Sequence, residues 1–414
     1  MKVLVIGSGG REHAIVSKIL ENSTVDILYC APGNGGTSRE EKCENINIRK
    51  IPELLEFVIK NKIDVTVVGS EELLVEGIVD KFKEKGLKIF GPSEKAAKLE
   101  GSKAYSKDFM KKYGIKTAAY EVFESACEAT EYLKSCDYPI VIKADGLAAG
   151  KGVVICDDFK SAQNSINDFM VVDIFKGSGK KIVIEEFLEG VEASILSITD
   201  GKIIIPFISS KDHKQIYDEN KGPNTGGMGV IAPNPYCNTE VLDEFKKHIL
   251  EPTLKGIQEE AMDYTGIIFF GIMITKKGVY LIEYNVRLGD PETQAVLPLM
   301  KSDFMELVLS AIEGNLMNFN LEWSDGHSCC IIAASKGYPG SYDTGFEIRE
   351  IGKLEGKLFV AGAKEEKDIL CTTGGRVLGI TGFGETLENA RQMAYADMGK
   401  IEFDGMYYRK DIGK

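Results

Sequence analysis

The first six residues limit the fold more than any other stretch. Lys2-Val-Leu-Val-Ile6 is apolar on consecutive positions, so both faces of a strand built from it need covering. Gly7-Ser-Gly-Gly-Arg-Glu-His13 follows, then a helical pattern running to Leu20. A strand, a glycine turn and a helix start predict a parallel sheet with helices on both sides. The same turn points backbone N–H groups at an anion. A dinucleotide site is the first reading to weigh. The GxGxxG fingerprint fails at its third glycine, where Glu12 stands, and the second strand, Val25 to Tyr29, runs into Cys30-Ala31 without an acid for a ribose. A monophosphate or substrate loop fits better, with a ligand-free strand-to-helix turn as the alternative.

A further βα unit comprises helix Ile51 to Asn61, strand Asp64 to Val68 and Gly69-Ser-Glu-Glu72; strand Lys88 to Phe90 with Gly91-Pro92 closes the unit. Open α/β sheets bind ligands at strand carboxyl ends, so Gly7 to Gly10, Pro32-Gly-Asn34 and Gly69 to Glu72 should share one crevice. Ser93 to Tyr113 reads as one lysine-rich helix, its lysines mostly a solvated face. At 414 residues the chain exceeds one ordinary core, and two to four domains are expected.

The second domain opens with Pro139-Ile-Val-Ile-Lys143-Ala-Asp-Gly146 and the glycine-rich Gly146-Leu-Ala-Ala-Gly-Lys-Gly152. A strand lysine followed by such a loop suits polyphosphate, with a plain hairpin turn as the alternative. It is not a Walker A loop, which would need glycine at Asp145 and Ser or Thr at Gly152. Strand Lys181 to Ile184 runs into Glu185-Glu-Phe-Leu-Glu-Gly-Val-Glu192, acids beside apolar residues that fit the mouth of a nucleobase slot or a solvated strand end. Lys211-Asp-His-Lys214 precedes Pro223-Asn-Thr-Gly-Gly-Met-Gly229. His213 is one of four histidines, a general base or a structural residue, and the glycines expose N–H groups or allow a tight crossing. A long helix, Glu240 to Met262, leads to strands Gly266 to Thr275 and Val279 to Asn285. On the second, Glu283 and Asn285 leave the same face, a carboxylate and an amide oxygen suited to a hard cation, with Arg287 beside them. An edge strand with solvated polar residues is the alternative. Beyond Trp323 the pieces are short and β-rich, ending in a helix from Leu387, and the one charged cluster of interest is Gly374-Gly-Arg376.

Composition excludes several classes. A net charge of −13 without a basic run disfavours nucleic acid. The longest apolar runs stop well short of the ~20 residues a membrane span needs. Nine cysteines without a CxxC pair argue for free thiols in a reducing compartment, and the cytoplasm is the expected location.

Taken in order, these stretches, together with Leu99-Glu-Gly-Ser-Lys103, resemble the phosphoribosylamine-glycine ligase (glycinamide ribonucleotide synthetase) family of the ATP-grasp superfamily over essentially the whole chain. The resemblance implies an α/β multidomain fold: an N-terminal Rossmann-like parallel sheet over residues 1–102, ATP-grasp α+β domains over 103–322 with a mobile nucleotide-closing part at about 121–190, and a β-rich capping domain over 323–414. It implies ATP-dependent ligation of glycine to 5-phosphoribosylamine through a glycyl phosphate, by a monomer using magnesium, with manganese as an alternative. It further implies that Lys103 and Lys143 contact the ATP phosphates, that Gly146, Gly150 and Gly152 belong to the closing loop, and that Glu185, Glu186, Leu188 and Glu192 bind the nucleoside. Glu283 and Asn285 would hold metal, Arg287 would face the transferred phosphoryl, and Asp290 and Asp212 would orient glycine or its amine partner. Gly9, Gly10, Asn34, Gly226 and Gly227 would meet substrate.

Two departures from the family pattern stand out. The strand before Glu283 reads Phe270-Gly-Ile-Met273, without the further metal-binding acid of many ATP-grasp enzymes, and Gly69-Ser70-Glu71 stands where Gly-Pro-Glu is expected. Another carboxylate-amine ligase, a non-catalytic nucleotide sensor and, less compatibly, a nicotinamide-linked oxidoreductase are the competing functions.

Overall fold

Residues 1–148, 152–350 and 352–414 are described by the computed structural model. Gly150 therefore lies outside the described residues. Strand Lys2–Gly7 sits inside a nine-stranded sheet, between Ile27–Pro32 and Val65–Val68 and parallel to both. Its apolar run is buried on both faces: Leu4 and Ile6 enter one core cluster, Val3 and Val5 another. Each such side chain contributes about 1.5–3 kcal/mol on burial, which a two-faced layer of helices alone can supply.

The sheet does not stop where the parallel strands end. Strand Tyr264–Thr275 pairs through Tyr264 and Thr265 with Pro92 and Gly91, closing the parallel part antiparallel. From Gly266 onward it pairs with Val191–Thr199 on one side, and from Phe269 with Gly278–Asn285 on the other. One 12-residue strand thus belongs to both halves, and the strand carrying Glu283 and Asn285 is fixed in register to the N-terminal sheet. A separate four-stranded antiparallel sheet, Tyr120–Phe123, Ile182–Glu186, Ile140–Ala144 and Val153–Cys156, carries Lys143 and Glu185 over its own core. The six-stranded sheet of the β-rich part recruits two strands from earlier in the chain, Lys211–Asp212 and Gly229–Ala232.

Two helical expectations change. The lysine-rich helix is two, Glu94–Gly101 and Lys103–Lys112, broken where extended Ser102 (φ −139°) caps the second by accepting from Tyr105 N. The long helix is Thr239–Phe245 and Glu251–Glu259 joined by a π turn, Lys246–Leu250. Pro252 lacks the N–H that would bond the His248 carbonyl, which accepts instead from Lys116 N at 3.4 Å.

The N-terminal loops grip the β-rich part through Val360. Its N–H donates to His13 Nδ1 at 2.8 Å and its carbonyl accepts from Asn34 Nδ2 at 2.8 Å. At the start of the first helix, Gly7 has φ +139°, and a Cβ there would lie 2.4 Å from Glu12 Cδ. Gly7→Ala should therefore lower unfolding stability by about 2 kcal/mol or more in denaturant titrations, through strain and displacement of Glu12 together. An unchanged midpoint would show that this turn relaxes freely.

Candidate active site

The loops at the strand ends meet the Arg287–Glu292 segment through buried charge. Glu12 opens the first helix, and its Oε2 accepts from Gly9 N at 2.6 Å while Oε1 pairs with Arg11 Nε at 2.5 Å. A Cβ at Gly69 would lie 2.2 Å from Glu12 Oε1, so glycines at 7 and 69 leave room for this carboxylate. The residue that breaks the dinucleotide fingerprint fills the turn. It also takes the Gly9 N–H, leaving the rest of the loop for an anion. Gly9 and Gly10 abut the Asp290 turn: added Cβ atoms would lie 2.9 Å from Asp290 Oδ2 and 2.5 Å from Gln294 Nε2.

Arg11 and Arg287 share acceptors. Arg11 Nη1 lies 3.5 Å from Glu71 Oε2 and 3.2 Å from the Leu288 carbonyl; Arg287 Nε lies 3.2 Å from the same carboxylate oxygen, and its Nη1 3.3 Å from the same carbonyl. Arg287 Nη2 pairs with Glu100 Oε1 at 2.8 Å, and Glu100 Oε2 accepts from Val286 N at 2.7 Å. Burial alone would raise the Glu71 pKa, but Arg287 and then Arg11 hold it down to about 2. Ser70 adopts φ −92° and ψ 128°, and Glu71 starts helix Glu71–Val75, so the turn forms without proline.

Glu283 and Asn285 do share a face. Glu283 lies opposite Gly271 in the ladder, and a Cβ on Gly271 would come within 3.2 Å of Glu283 Cγ. Burial works against ionisation of Glu283, yet Lys214, Lys143, Lys103 and Arg287, in that order, keep its pKa below the usual carboxylate value. Asn285 Oδ1 accepts from Arg287 Nη2 at 3.2 Å. Among the described residues no cluster of three His, Cys, Asp or Glu side chains could hold an ion. The donor set is thus one carboxylate and one amide oxygen, which fits a magnesium ion taking its remaining ligands from phosphate and water.

Lys143 is buried to 4% exposure, with Nζ 2.9 Å from Glu185 Oε1 as an ion contact. Glu185 Oε2 is 2.9 Å from Lys107 Nζ, which also donates to Thr117 Oγ1 at 2.8 Å. Lys107 is therefore buried between Glu185 and the Thr117 hydroxyl, not on a solvated face, and burial brings its pKa down to about 8 although Glu185 opposes the shift. Lys103 is held at its helix start by donation of its N–H to the Asp145 carbonyl, 3.0 Å. The Gly146 N–H is taken by the Ser178 carbonyl at 3.1 Å, and the Gly152 carbonyl accepts from Ala144 N at 2.8 Å. Glu186 is exposed and its Oε1 accepts from Ala119 N, Leu188 is half-buried, and Glu192 pairs with Lys214 at 2.6 Å.

An acidic group faces these cations. Asp212 Oδ1 is buried without a hydrogen-bond partner, and burial, then Glu292, raises the Asp212 pKa well above normal. Glu292 accepts from Ser194 Oγ at 3.1 Å. Asp290 Oδ1 accepts from Gln294 Nε2 at 2.8 Å, and Arg376 reaches over from the β-rich part, donating to the Asp290 carbonyl at 2.7 Å and the Gly226 carbonyl at 2.5 Å. Gly227, at φ +112°, leaves space beside Asp212 Oδ1, which a Cβ would approach to 2.7 Å. Two candidates have scaffold roles. Asn34 spends its amide on the Ser8, Gly9 and Val360 carbonyls and the Gly36 and Thr37 N–H groups. His213 is buried with Nδ1 3.1 Å from the Gly229 carbonyl, and burial lowers its pKa to about 4, which suits a structural residue.

Sequence reasoning missed Arg11, Glu100, Lys107, Lys214 and Glu292 as individual residues. Arg11, Glu100 and Lys214 lie inside the motifs quoted above and Glu292 two residues beyond Asp290; Lys107 gives no local signal, because its spacing matches a solvent-facing lysine.

Comparison with known proteins is consistent along the chain. Models of the phosphoribosylglycinamide synthetase N domain, ATP-grasp (A) domain and C domain match residues 1–100, 101–293 and 328–414. The chain is 66% identical to the phosphoribosylamine-glycine ligase of Clostridium acetobutylicum, covering all of both chains. The crystal structure of the phosphoribosylamine-glycine ligase from Thermotoga maritima superposes with a TM-score of 0.88 at 36% identity, covering all of both chains. The Hydrogenobacter thermophilus 2-oxoglutarate carboxylase biotin carboxylase domain superposes at 0.77 with 17% identity, over 98% of this chain and 91% of that one, a likeness of fold.

The pairing of Glu71 has a pH signature. Its carboxyl is depressed to about 2 in the folded chain and near 4.3 when unfolded, so its stabilisation is complete above about pH 4.3 and is lost as pH falls towards 2. The stability gap between wild type and Glu71→Gln should be on the order of 2 kcal/mol at neutral pH and shrink across that window. A gap independent of pH would contradict the pairing.

Proposed function

The chain belongs to the phosphoribosylglycinamide synthetase family, and from that premise we propose how its residues divide the work of one ligation. It is an ATP-dependent carbon-nitrogen ligase that joins glycine to 5-phosphoribosylamine, giving glycinamide ribonucleotide, ADP and phosphate in de novo purine biosynthesis. In the proposed sequence a glycine carboxylate oxygen attacks the γ-phosphorus and the bond to ADP breaks, leaving glycyl phosphate. The ribosylamine nitrogen then attacks the carbonyl carbon, phosphate departs with the C–O bond electrons, and the nitrogen loses a proton.

The observation that carries the assignment of roles is that Lys214, Lys143, Lys103 and Arg287 all lie close enough to the Glu283 carboxylate to stabilise its charge. In a chain of net charge −13, cations gathered at one place, even though Lys143, Lys214 and Arg287 also pair with acids, suit a polyphosphate. Lys103 and Lys143 would meet the ATP phosphates beneath the loop containing Gly146, Gly150 and Gly152. Glu185 would hold Lys143 at the base edge, Glu186 and Leu188 would contribute backbone groups to adenine, and Glu192 would hold the ribose. Glu283 and Asn285 would hold magnesium, or manganese in its place, which neutralises charge on the phosphates when bound. Of the five N–H groups of Arg287, one on Nη1 remains beyond its contacts with Glu71, Leu288, Glu100 and Asn285, and it would face the transferred phosphoryl.

The acidic side suits the amine end of glycine. The unpartnered Asp212 Oδ1 would accept from the ammonium with Asp290 and Glu292 close by, while Gly226 and Gly227 let substrate approach the backbone. The anionic ribose phosphate would sit at the Gly9-Gly10 loop, beside Arg11, whose charge is shared with Glu12 and Glu71. We assign the chemistry to a cytoplasmic monomer acting on small molecules; no helix among the described residues is long and apolar enough to cross a membrane.

ADP release should require both glycine and phosphoribosylamine, and release supported by bicarbonate or formate would favour another carboxylate-amine ligase. Glu283→Gln keeps the packing but removes a charged ligand, so magnesium-dependent kcat should fall by about 10²-fold or more. Near-normal turnover of that variant at limiting magnesium would falsify the metal assignment. Arg287→Lys should be similarly damaging, because a point charge cannot serve Glu71, Glu100 and Asn285 together.

A further inference from the structure

A hairpin of two short strands, Gln215–Tyr217 and Lys221–Asn224, hangs between the site residues Lys214 and Gly226. Most of it is exposed, and its turn is unfavourable: Glu219 and Asn220 adopt φ of +59° and +54°. Consecutive left-handed non-glycine residues cost about 1–2 kcal/mol each for an ordinary side chain, so surrounding contacts must hold them.

Those contacts come from Arg409-Lys410-Asp411. Arg409 is fully buried at 0% exposure. Its Nε and Nη2 grip the two Asp411 oxygens at 2.8 and 2.7 Å, while Nη1 donates to the Gln215 carbonyl at 2.9 Å and Nη2 to Asn220 Oδ1 at 3.0 Å. Asp411 Oδ2 accepts from Glu219 N at 2.8 Å, and Lys410 N donates to Asp218 Oδ1 at 2.8 Å. Both left-handed residues are thus held by the Arg409–Asp411 pair, one through its backbone and one through its side chain.

From the hairpin the bonds run into the site. Thr225 N and Oγ1 both donate to the Lys214 carbonyl, at 2.8 and 2.7 Å, and Gly227 N donates to Thr225 Oγ1 at 2.9 Å. Lys214 Nζ pairs with Glu192 at 2.6 Å and lies close to both Glu283 and Asp212. The two ends of the hairpin therefore set where Lys214 and the Gly226-Gly227 backbone stand.

We propose that Arg409 and Asp411 are positioning residues that clamp the 215–224 hairpin and thereby pre-form the glycine side of the site. The clamp touches none of the reacting groups and acts through Lys214, Thr225 and Gly227. The proposal rests on the functional reading above for its kinetic consequence, but the clamp itself can be observed without turnover.

The full-length Asp218→Ala, Asn220→Ala double variant removes two of the four bonds between the hairpin and Arg409-Lys410-Asp411, weakening the clamp from the hairpin side while the Arg409–Asp411 pair stays intact. Hydrogen exchange of amides 215–227 should accelerate by at least about tenfold, with protection elsewhere unchanged. The KM for glycine should rise by about five- to twentyfold, and by more than the KM for ATP, to which the hairpin is linked only through Lys214. Unchanged exchange in the hairpin overturns the clamp, and faster exchange with an unchanged glycine KM overturns its role in the site. If wild type shows no turnover dependent on glycine and phosphoribosylamine, the functional reading fails instead, and the exchange result still decides whether the clamp exists.

Discussion

Glu71, placed between Arg11 and Arg287, sets the geometry on which the rest of this molecule depends. Moving a charged group out of water costs several kcal/mol, so a buried guanidinium persists only where carboxylates and carbonyls meet it. Arg287 meets Glu71, Glu100, Asn285 and the Leu288 carbonyl, and Arg11 meets Glu12, Glu71 and that same carbonyl. These residues come from the first helix, the turn after Gly69, the helix Glu94–Gly101 and the segment after strand Gly278–Asn285. Satisfying one set of charges therefore forces the N-terminal loops and the Glu283 strand together. The shared strand Tyr264–Thr275 fixes the same relation through backbone hydrogen bonds. Two independent constraints agree on one register.

Outward from that ladder the site is polarised. Lys103, Lys143 and Lys214 surround Glu283, whereas Asp212, Glu292 and Asp290 gather beside Arg376. In the proposed function this field would sort a phosphate chain towards Lys103 and Lys143 and an ammonium group towards Asp212, and the carboxylate of an amino acid bound between them would point at the phosphates. The arrangement needs positioning and charge more than a covalent nucleophile. It also explains why residues far apart in the chain share one site. Arg376 and Asp212 lie on the same six-stranded sheet, one strand recruited from the middle of the chain and the other native to the β-rich part.

Much of this was legible in the residues themselves because periodicity and glycine placement have local causes. The apolar run at Lys2–Ile6 demanded a covered parallel sheet, and Val3 with Val5 and Leu4 with Ile6 do enter opposite cores. Glu283 and Asn285 share a face because side chains alternate along any strand. The resemblance then supplied the family and the expected roles, which spacing alone left open. What could not be read depends on contacts distant in sequence. Lys107 looks like one more solvent-facing lysine until Glu185 arrives from another strand, and the break at Ser102 shows only once Asp145 lies against that helix start. Asn34 is expected from the sequence to meet substrate at a strand end, and its bond to the Val360 carbonyl, far away in the chain, could not be read there. The acid expected near Gly271 has no replacement in the ladder; Gly271 instead leaves Glu283 uncrowded.

In the proposed ligation the glycine carboxylate takes the phosphoryl group directly from ATP before the amine attacks. Turnover with glycine labelled with oxygen-18 in its carboxylate, followed by mass analysis of the released phosphate, tests this most directly. Each released phosphate should carry a labelled oxygen drawn from glycine. Unlabelled phosphate, formed at the same rate as glycinamide ribonucleotide, would contradict it.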